Sequence, residues 1–330
     1  MSLQDIKQIT ATHLEEIYKK CEEKNAIIPK NKNLKNVTNT IDTISVGSGE
    51  KYFIRDCSHM FDSGARLDEI DKLLPMCVRP TNMNSMFNNC SSLTTIDLSA
   101  IDTKEVTEME DLFAYCNSLN KLDLSKFNTS NVISMKEMFM RCFNLSELDL
   151  RSFNTSNVTN MQNMFYEIEN LETLDLSNFD TSNVENMQGM FRNCYSLLNI
   201  NLKNFDTKKV ENMRYMFANC ELLENLDIKH FDTSNVDNFA YMFLNCFGLT
   251  KLDVSNFNVE KAESMQQMFA GCENLQSLNL KNWTVPQNVS STADMFEGIA
   301  EECEIKVSSQ EMKDWLLDIR DDFTNIVIEL

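Results

Sequence analysis

The chain has 330 residues, with 50 acidic and 30 basic side chains, a formal net charge of −20 and a pI near 4.6. Phosphate recognition needs clustered Lys and Arg, so this balance excludes a nucleic-acid backbone as partner and leaves a basic protein surface, a neutral carbohydrate or a cation. No apolar run reaches the length of a membrane-spanning helix, and residues 1–30 lack the basic start and apolar stretch of a secretory signal.

In chain order, Leu14, Ile17, Tyr18 and Cys21 have the spacing of an amphipathic helix, which predicts a helix over residues 3–24 in an N-terminal cap spanning 1–56. Pro29 and the Gly47-Ser48-Gly49 turn read as loop, with one short strand at Tyr52-Phe53-Ile54. Cys57, Met60 and Phe61 then begin a degenerate first repeat.

From there a repeated sentence takes over. Phe87, Phe113, Phe139, Phe165, Phe191, Phe217, Phe243 and Phe269 each follow the last by 26 residues, and Phe296 follows at 27. A fixed period of this length means stacked supersecondary units that bury their apolar faces only against neighbours. One continuous solenoid over residues 57–300 is therefore expected, not two globular domains.

Within a repeat, Leu171, Leu174 and Leu176 alternate with Thr173, Asp175 and Ser177, the period of a short strand. Met187, Met190, Phe191 and Cys194 follow helical spacing after Asn186, an available N-cap. The expected rung is strand, turn, then a short helix or 3₁₀ segment, an α/β repeat with a parallel sheet on its concave face. Phe127, Phe153, Phe179, Phe205, Phe231 and Phe257 form a second aromatic column, beside threonines at 103, 129, 155, 181, 207 and 233 that suit turn backbone groups. Beyond Phe296 a strand at Glu304-Ile305-Lys306-Val307, a capping box from Ser308 to Glu311, a helix from Met312 to Phe323 and an edge strand after Asn325 predict a C-terminal cap over residues 301–330.

Eleven cysteines are an odd number, and seven share one column: Cys90, Cys116, Cys142, Cys194, Cys220, Cys246 and Cys272. Ile168 fills the gap, as a small buried hydrophobe tolerates and a disulfide or metal ligand does not. No C-x-x-C pair supports a metal site, and many free thiols suit a reducing compartment.

The motif L-x-x-L-D-L-S-x-F-D-T-S-N-V-x-N-M-x-x-M-F-x-x-C, as in residues 171–194, resembles the 26-residue repeat of bacterial BspA-like leucine-rich-repeat surface proteins. The resemblance spans about Met83 to Ile299. It implies a right-handed, non-enzymatic leucine-rich-repeat solenoid with adhesion or partner binding at the cell surface. The chain shows no signal, lipid-attachment cysteine or wall anchor, so an intracellular interaction or inhibitor module is the alternative.

Columns identical in every copy serve stacking, so a partner-specific surface belongs where copies vary. The strand aspartates Asp97, Asp123, Asp149, Asp175, Asp227 and Asp253, with Asn201 and Asn279 in the same column, are the foremost candidate for docking a basic partner. Parallel strands lie about 4.8 Å apart, where neighbouring carboxylates repel by roughly 1 kcal/mol in water and about 3 to 4 at an effective dielectric of 20. Arg151, Lys203, Lys229 and Lys281 are placed to offset that repulsion. A second candidate is an aromatic edge: Phe143, Tyr195 and Phe247 just past the Met/Phe/Cys stripe, and Tyr215 and Tyr241 opposite it and facing solvent. The three histidines, His13, His59 and His230, have no attached nucleophile motif, and seven glycines form no phosphate-cradling loop, so neither a catalytic residue nor a cofactor is expected.

Overall fold

A computed structural model of the chain describes residues 41–46, 49–63, 74, 77 and 79–329. The helix expected over 3–24 lies outside the described residues. The described chain begins with an antiparallel hairpin, β1 (Ile41–Val46) with β2 (Gly49–Ile54), in which Ile41 faces Ile54. The strand expected at Tyr52-Phe53-Ile54 is the end of β2.

The repeats then stack in parallel register. A ladder of bridges joins Asp56 to Asn82, Asn82 to Glu108, and so on at each repeat to Ser264 and Ser291. Short strands pair where the leucine sentence predicts them: β3 (Thr173–Asp175) with β4 (Asn199–Asn201), and β5 (Lys251–Asp253) with β6 (Ser277–Asn279). Asp175 lies beside Asn201 and Asp253 beside Asn279, which is the column expected from the repeat.

The sheet runs on into β7 (Glu304–Val307) and β8 (Ile326–Ile328), joined by helix α1 (Gln310–Ile319). The helix cap falls one residue later than the Ser308–Glu311 box: Ser309 is the N-cap, and its hydroxyl accepts from the Met312 N–H at 3.1 Å. The Ser308 position is occupied by the end of the chain's turn out of β7, so only Ser309 is aligned with the first free N–H groups.

The segment expected to be helical is not helical. Within the described residues of the full repeats, from Met83 on, the helical stretch is a 3₁₀ turn at Thr103–Glu105. Around each key phenylalanine the backbone instead forms a ribbon of overlapping turns. In the rung of Phe191, the N–H groups of Met187, Gly189, Phe191 and Asn193 donate to the carbonyls of Asn212, Arg214, Met216 and Ala218 in the next rung, at 2.8 to 3.1 Å. The intervening N–H groups of Met190, Arg192 and Cys194 close turns on Met187, Gly189 and Phe191. Half the donors thus leave the rung, and none remains for the i to i−4 bonds of a helix.

This geometry requires a positive φ two residues before and two after each phenylalanine. Ser85 and Asn89 (52° and 56°), Glu137 and Arg141 (58° and 61°), and Gly189 and Asn193 (61° and 62°) all have one. These are third positions of turns that need the left-handed conformation. Asn186, the expected N-cap, accepts the Gln188 N–H at 2.9 Å and so opens the first turn of the ribbon instead of a helix.

The core lies between ribbon and strands. Key phenylalanines stack from Phe61 to Phe296 with centroids 5.4 to 5.9 Å apart, and Phe153, Phe179, Phe205 and Phe231 stack at 6.4 to 6.5 Å. Trp283 ends the second column, donating its indole N–H to the Val254 carbonyl at 2.8 Å. The threonine column closes each turn onto the next rung; Thr181, for example, donates to the Asp206 carbonyl at 2.8 Å. The Cys column is buried throughout and adds a directional contact, since each thiol donates to a phenylalanine carbonyl of the preceding rung, as Cys220 does to Phe191 at 3.1 Å. Burial pushes the Cys142, Cys194 and Cys272 thiols up to about 12, so they stay protonated.

Candidate functional site

On the strand face, Asp97, Asp123, Asp149, Asp175 and Asp227 are exposed and Asp253 is half-buried. Each also has a local task. Asp97, Asp123 and Asp175 accept the N–H of Ser99, Ser125 and Ser177 at 2.9 to 3.0 Å, which turns the chain out of the strand. Asn201 and Asn279 do the same with Lys203 and Lys281, at 3.2 and 3.1 Å. The hydroxyl and N–H of Ser99 hold Asp97, and the N–H and hydroxyl of Ser125 and Ser177 hold Asp123 and Asp175, below the usual carboxylate range. The Arg151 side chain, 2.9 Å from Asp149 through Nε, brings that carboxyl down to about 2. At Asp253 burial opposes ionisation, but the hydroxyl and N–H of Ser255, with Lys229 and Asn279, outweigh it.

The expected offset of repulsion takes place across rungs as well as within them: Lys229 Nζ lies 3.2 Å from Asp253, in the neighbouring rung. Around this pair a shallow groove of about 510 Å³ is lined by Asp227, Lys229, Lys251, Asp253, Asn279 and Lys306, among others.

Beside the aspartates, two residues earlier on the same face, stand Thr95, Lys121, Glu147, Thr173, Asn199 and Asn225. All six are exposed, and their side chains make no hydrogen bond or ion pair among the described residues. These six positions vary from rung to rung; the column continues to Lys251 and to Ser277, whose hydroxyl donates to Glu304 at 3.3 Å.

Acidity is not confined to the strand face. Glu185, Glu211, Asp237 and Glu263 form a second exposed ladder next to the bridge positions, each N–H donating to the residue one rung earlier, as Glu211 does to Glu185 at 2.9 Å. The sequence carries this ladder at the same 26-residue period, but it begins only in the rung of Phe191, where threonine and isoleucine give way to acids, and a motif built on shared letters passes over it.

The aromatic edge divides. Phe143, Tyr195 and Phe247 are half-buried along the core flank. Tyr215 and Tyr241, expected to project into solvent, are half-buried too, because they occupy the left-handed positions of the ribbon (φ 60° and 62°) and stack on each other at 4.5 Å with 11° between planes. Bulky residues rarely adopt this conformation, at a cost on the order of 1–3 kcal/mol each. Arginines, not picked out from the sequence, complete the feature: Arg192 lies over the rings of Tyr166 and Tyr215 at 5.4 and 4.2 Å, and Arg214 over Tyr215 and Tyr241 at 4.8 and 5.4 Å. A polar ladder runs alongside, in which Arg141 pairs with Glu167 at 2.6 Å, Asn193 donates to Glu167, Asn219 to Asn193 and Asn245 to Asn219.

His59 pairs with Asp62 at 3.0 Å and His230 meets the Leu202 carbonyl at 3.0 Å, while His13 lies outside the described residues. Among the described residues no group of His, Cys, Asp and Glu is arranged to hold a metal ion, and no helix is long and apolar enough to cross a membrane.

A parallel-sheet solenoid with two aromatic columns and leucine strands at a 26-residue period defines a leucine-rich-repeat protein of BspA-like type. The chain belongs to the family described as "Mycoplasma protein of unknown function, DUF285", whose model matches residues 55–166, 81–199, 121–222 and 195–310. No curated protein matches it in sequence. Among solved structures it is similar to a leucine-rich repeat protein from Bacteroides ovatus, at 14% identity over 88% of this chain and 98% of that one, with a TM-score of 0.32. It is also similar to the pneumococcal vaccine antigen PcpA, at 14% identity over 87% of each chain and a TM-score of 0.28.

Proposed function

We propose that the chain is a non-enzymatic binding solenoid of surface type, which docks a basic protein partner on its strand face through Asp97, Asp123, Asp149, Asp175, Asp227 and Asp253. The observation that carries this reading is the variable column beside the aspartates: exposed side chains at 95, 121, 147, 173, 199 and 225 with no task in the stack. A repeat protein presents a long, regular face of this kind for recognition. The aspartates supply fixed negative charge at one rung spacing, which raises the association rate and selects basic partners, while the neighbouring column supplies the difference between rungs. The surface role rests on the family's BspA-like repeat.

The test uses Asp97→Asn, Asp123→Asn, Asp149→Asn and Asp175→Asn together. Asn201 and Asn279 hold the same turn, so the substitution removes charge and keeps the fold. A control chain neutralises Glu185, Glu211, Asp237 and Glu263 instead, an equal change in net charge. Binding of a lysine–threonine alternating peptide, titrated at two salt concentrations, is expected to weaken about tenfold in the first variant and to hold in the second. An equal loss in both would reduce the effect to net charge and end the assignment of the strand face.

A further inference from the structure

The chain carries a net charge of −20, yet two of its cations are left over on the turn ribbon. Among the described residues neither Arg192 nor Arg214 meets a carboxylate within ion-pair distance; their contacts are tyrosine rings, and Arg214 reaches the Tyr215 hydroxyl at 3.3 Å. The Nε atoms of both are buried without a hydrogen-bond partner. A guanidinium in an acidic protein finds a carboxylate easily, and Arg141, one column away, does so with Glu167. Arg192 and Arg214 are instead held by stacking on tyrosine rings, which orients each planar fork and leaves its charge without a carboxylate among the described residues.

The surroundings explain how they are held. Tyr215 has Gly189 at the equivalent position one rung before it and Tyr241 one rung after it, so within this column a ring stacks on Tyr215 from the later rung only, and Asn163 fills the space beside Gly189. Arg192, from the rung of Gly189, lies over Tyr215 at 4.2 Å from the ring centroid.

Spacing limits the ligand. The two guanidinium carbons lie 4.2 and 4.8 Å from the same ring centroid, so they are no more than about 9 Å apart. In an extended peptide, side chains two residues apart are separated by roughly 6.6 Å and point to one side. We propose that Arg192 and Arg214, cradled by Tyr166, Tyr215 and Tyr241, form a second docking surface that takes an extended protein segment with acidic residues at i and i+2. Each carboxylate accepts from one guanidinium, and the peptide's intervening side chain points away. The surface is separate from the strand face, so neither assignment depends on the other.

The experiment titrates the full chain with a labelled peptide of alternating glutamate and threonine and with its glutamine counterpart. The acidic peptide is expected to bind, to lose affinity about tenfold or more in Arg192→Gln/Arg214→Gln, and to be unaffected by the four strand-face Asp→Asn changes. Arg214→Lys keeps the charge without the planar fork, and is expected to recover only part of the affinity. Thermal melts of each variant confirm that the fold is intact. Equal binding of the glutamine peptide, or an unchanged affinity in the double Gln variant, overturns the proposal, as does preferential binding of a sulfated polysaccharide with the same arginine dependence.

Discussion

At the scale of single residues, what a side chain does depends on which neighbour its rung places beside it. Asp111 and Glu137 occupy the same left-handed column in adjacent rungs, φ 54° and 58°. Burial, then the hydrogen bond and charge of Glu137, push the Asp111 carboxyl up to about 7. The folded chain therefore holds a proton there that the unfolded chain has released by pH 5. The resulting stability is fully present below the unfolded value near 3.9 and is lost as pH rises through about 7. Asp111→Asn is expected to match the parent at pH 4 and to exceed it at pH 8, by about 1 kcal/mol since the site is partly open to water. Denaturant midpoints of both chains across that range check it; a constant difference would remove Asp111 as the titrating group.

Single letters were also where the sequence was hardest to read. The aspartate column stood out, and its turn bonds to residues two positions on are visible in retrospect as the short polar signature of such turns. Arg192 and Arg214 had no such mark. They sit at different offsets from their phenylalanines, one after Phe191 and three before Phe217, so no column contains both. Only folding brings them to the same ring.

At the scale of the element, the turn ribbon is the main departure from expectation. Met187, Met190, Phe191 and Cys194 are spaced three, one and three apart, which satisfies both a helix and a chain of turns that buries every fourth side chain on one side. Periodicity reports which residues share a face and not the sign of φ. The sign is set by the next rung, whose carbonyls draw away alternate N–H groups. Gly271 tests this. At φ 72° an added methyl would lie 2.2 Å from Asn245 Oδ1. Gly271→Ala is expected to cost on the order of 1–3 kcal/mol. Asn245→Gly in the same chain removes the clash and should return part of that loss, while the unfavourable φ remains. No recovery in urea unfolding would mean that the strain lies elsewhere.

At the scale of the molecule, stability is the sum of nearly identical interfaces, so register matters more than any one rung. Deleting residues 172–197 joins Leu171 to Leu198, which stands one 26-residue period beyond Glu172. The shortened chain is expected to fold with the same circular dichroism per residue and a modestly lower melting temperature. Deleting only 172–184 places strand positions against ribbon positions, buries polar side chains in the phenylalanine spine and should abolish cooperative unfolding. Similar melts for the two deletions would contradict a solenoid held by matched columns.

The sequence by itself determined the period, the parallel stack, the two aromatic columns and the buried thiols, because each repeats a chemical requirement once per rung and repetition is visible in letters. It also determined that the aspartates lie together on one face. The tertiary structure decided the path of the backbone around each phenylalanine, the second acidic ladder's exposure and the meeting of two arginines over one tyrosine. Those depend on hydrogen bonds and contacts between rungs, where the partner of a residue is 21 to 29 positions away and the local pattern is the same for either outcome.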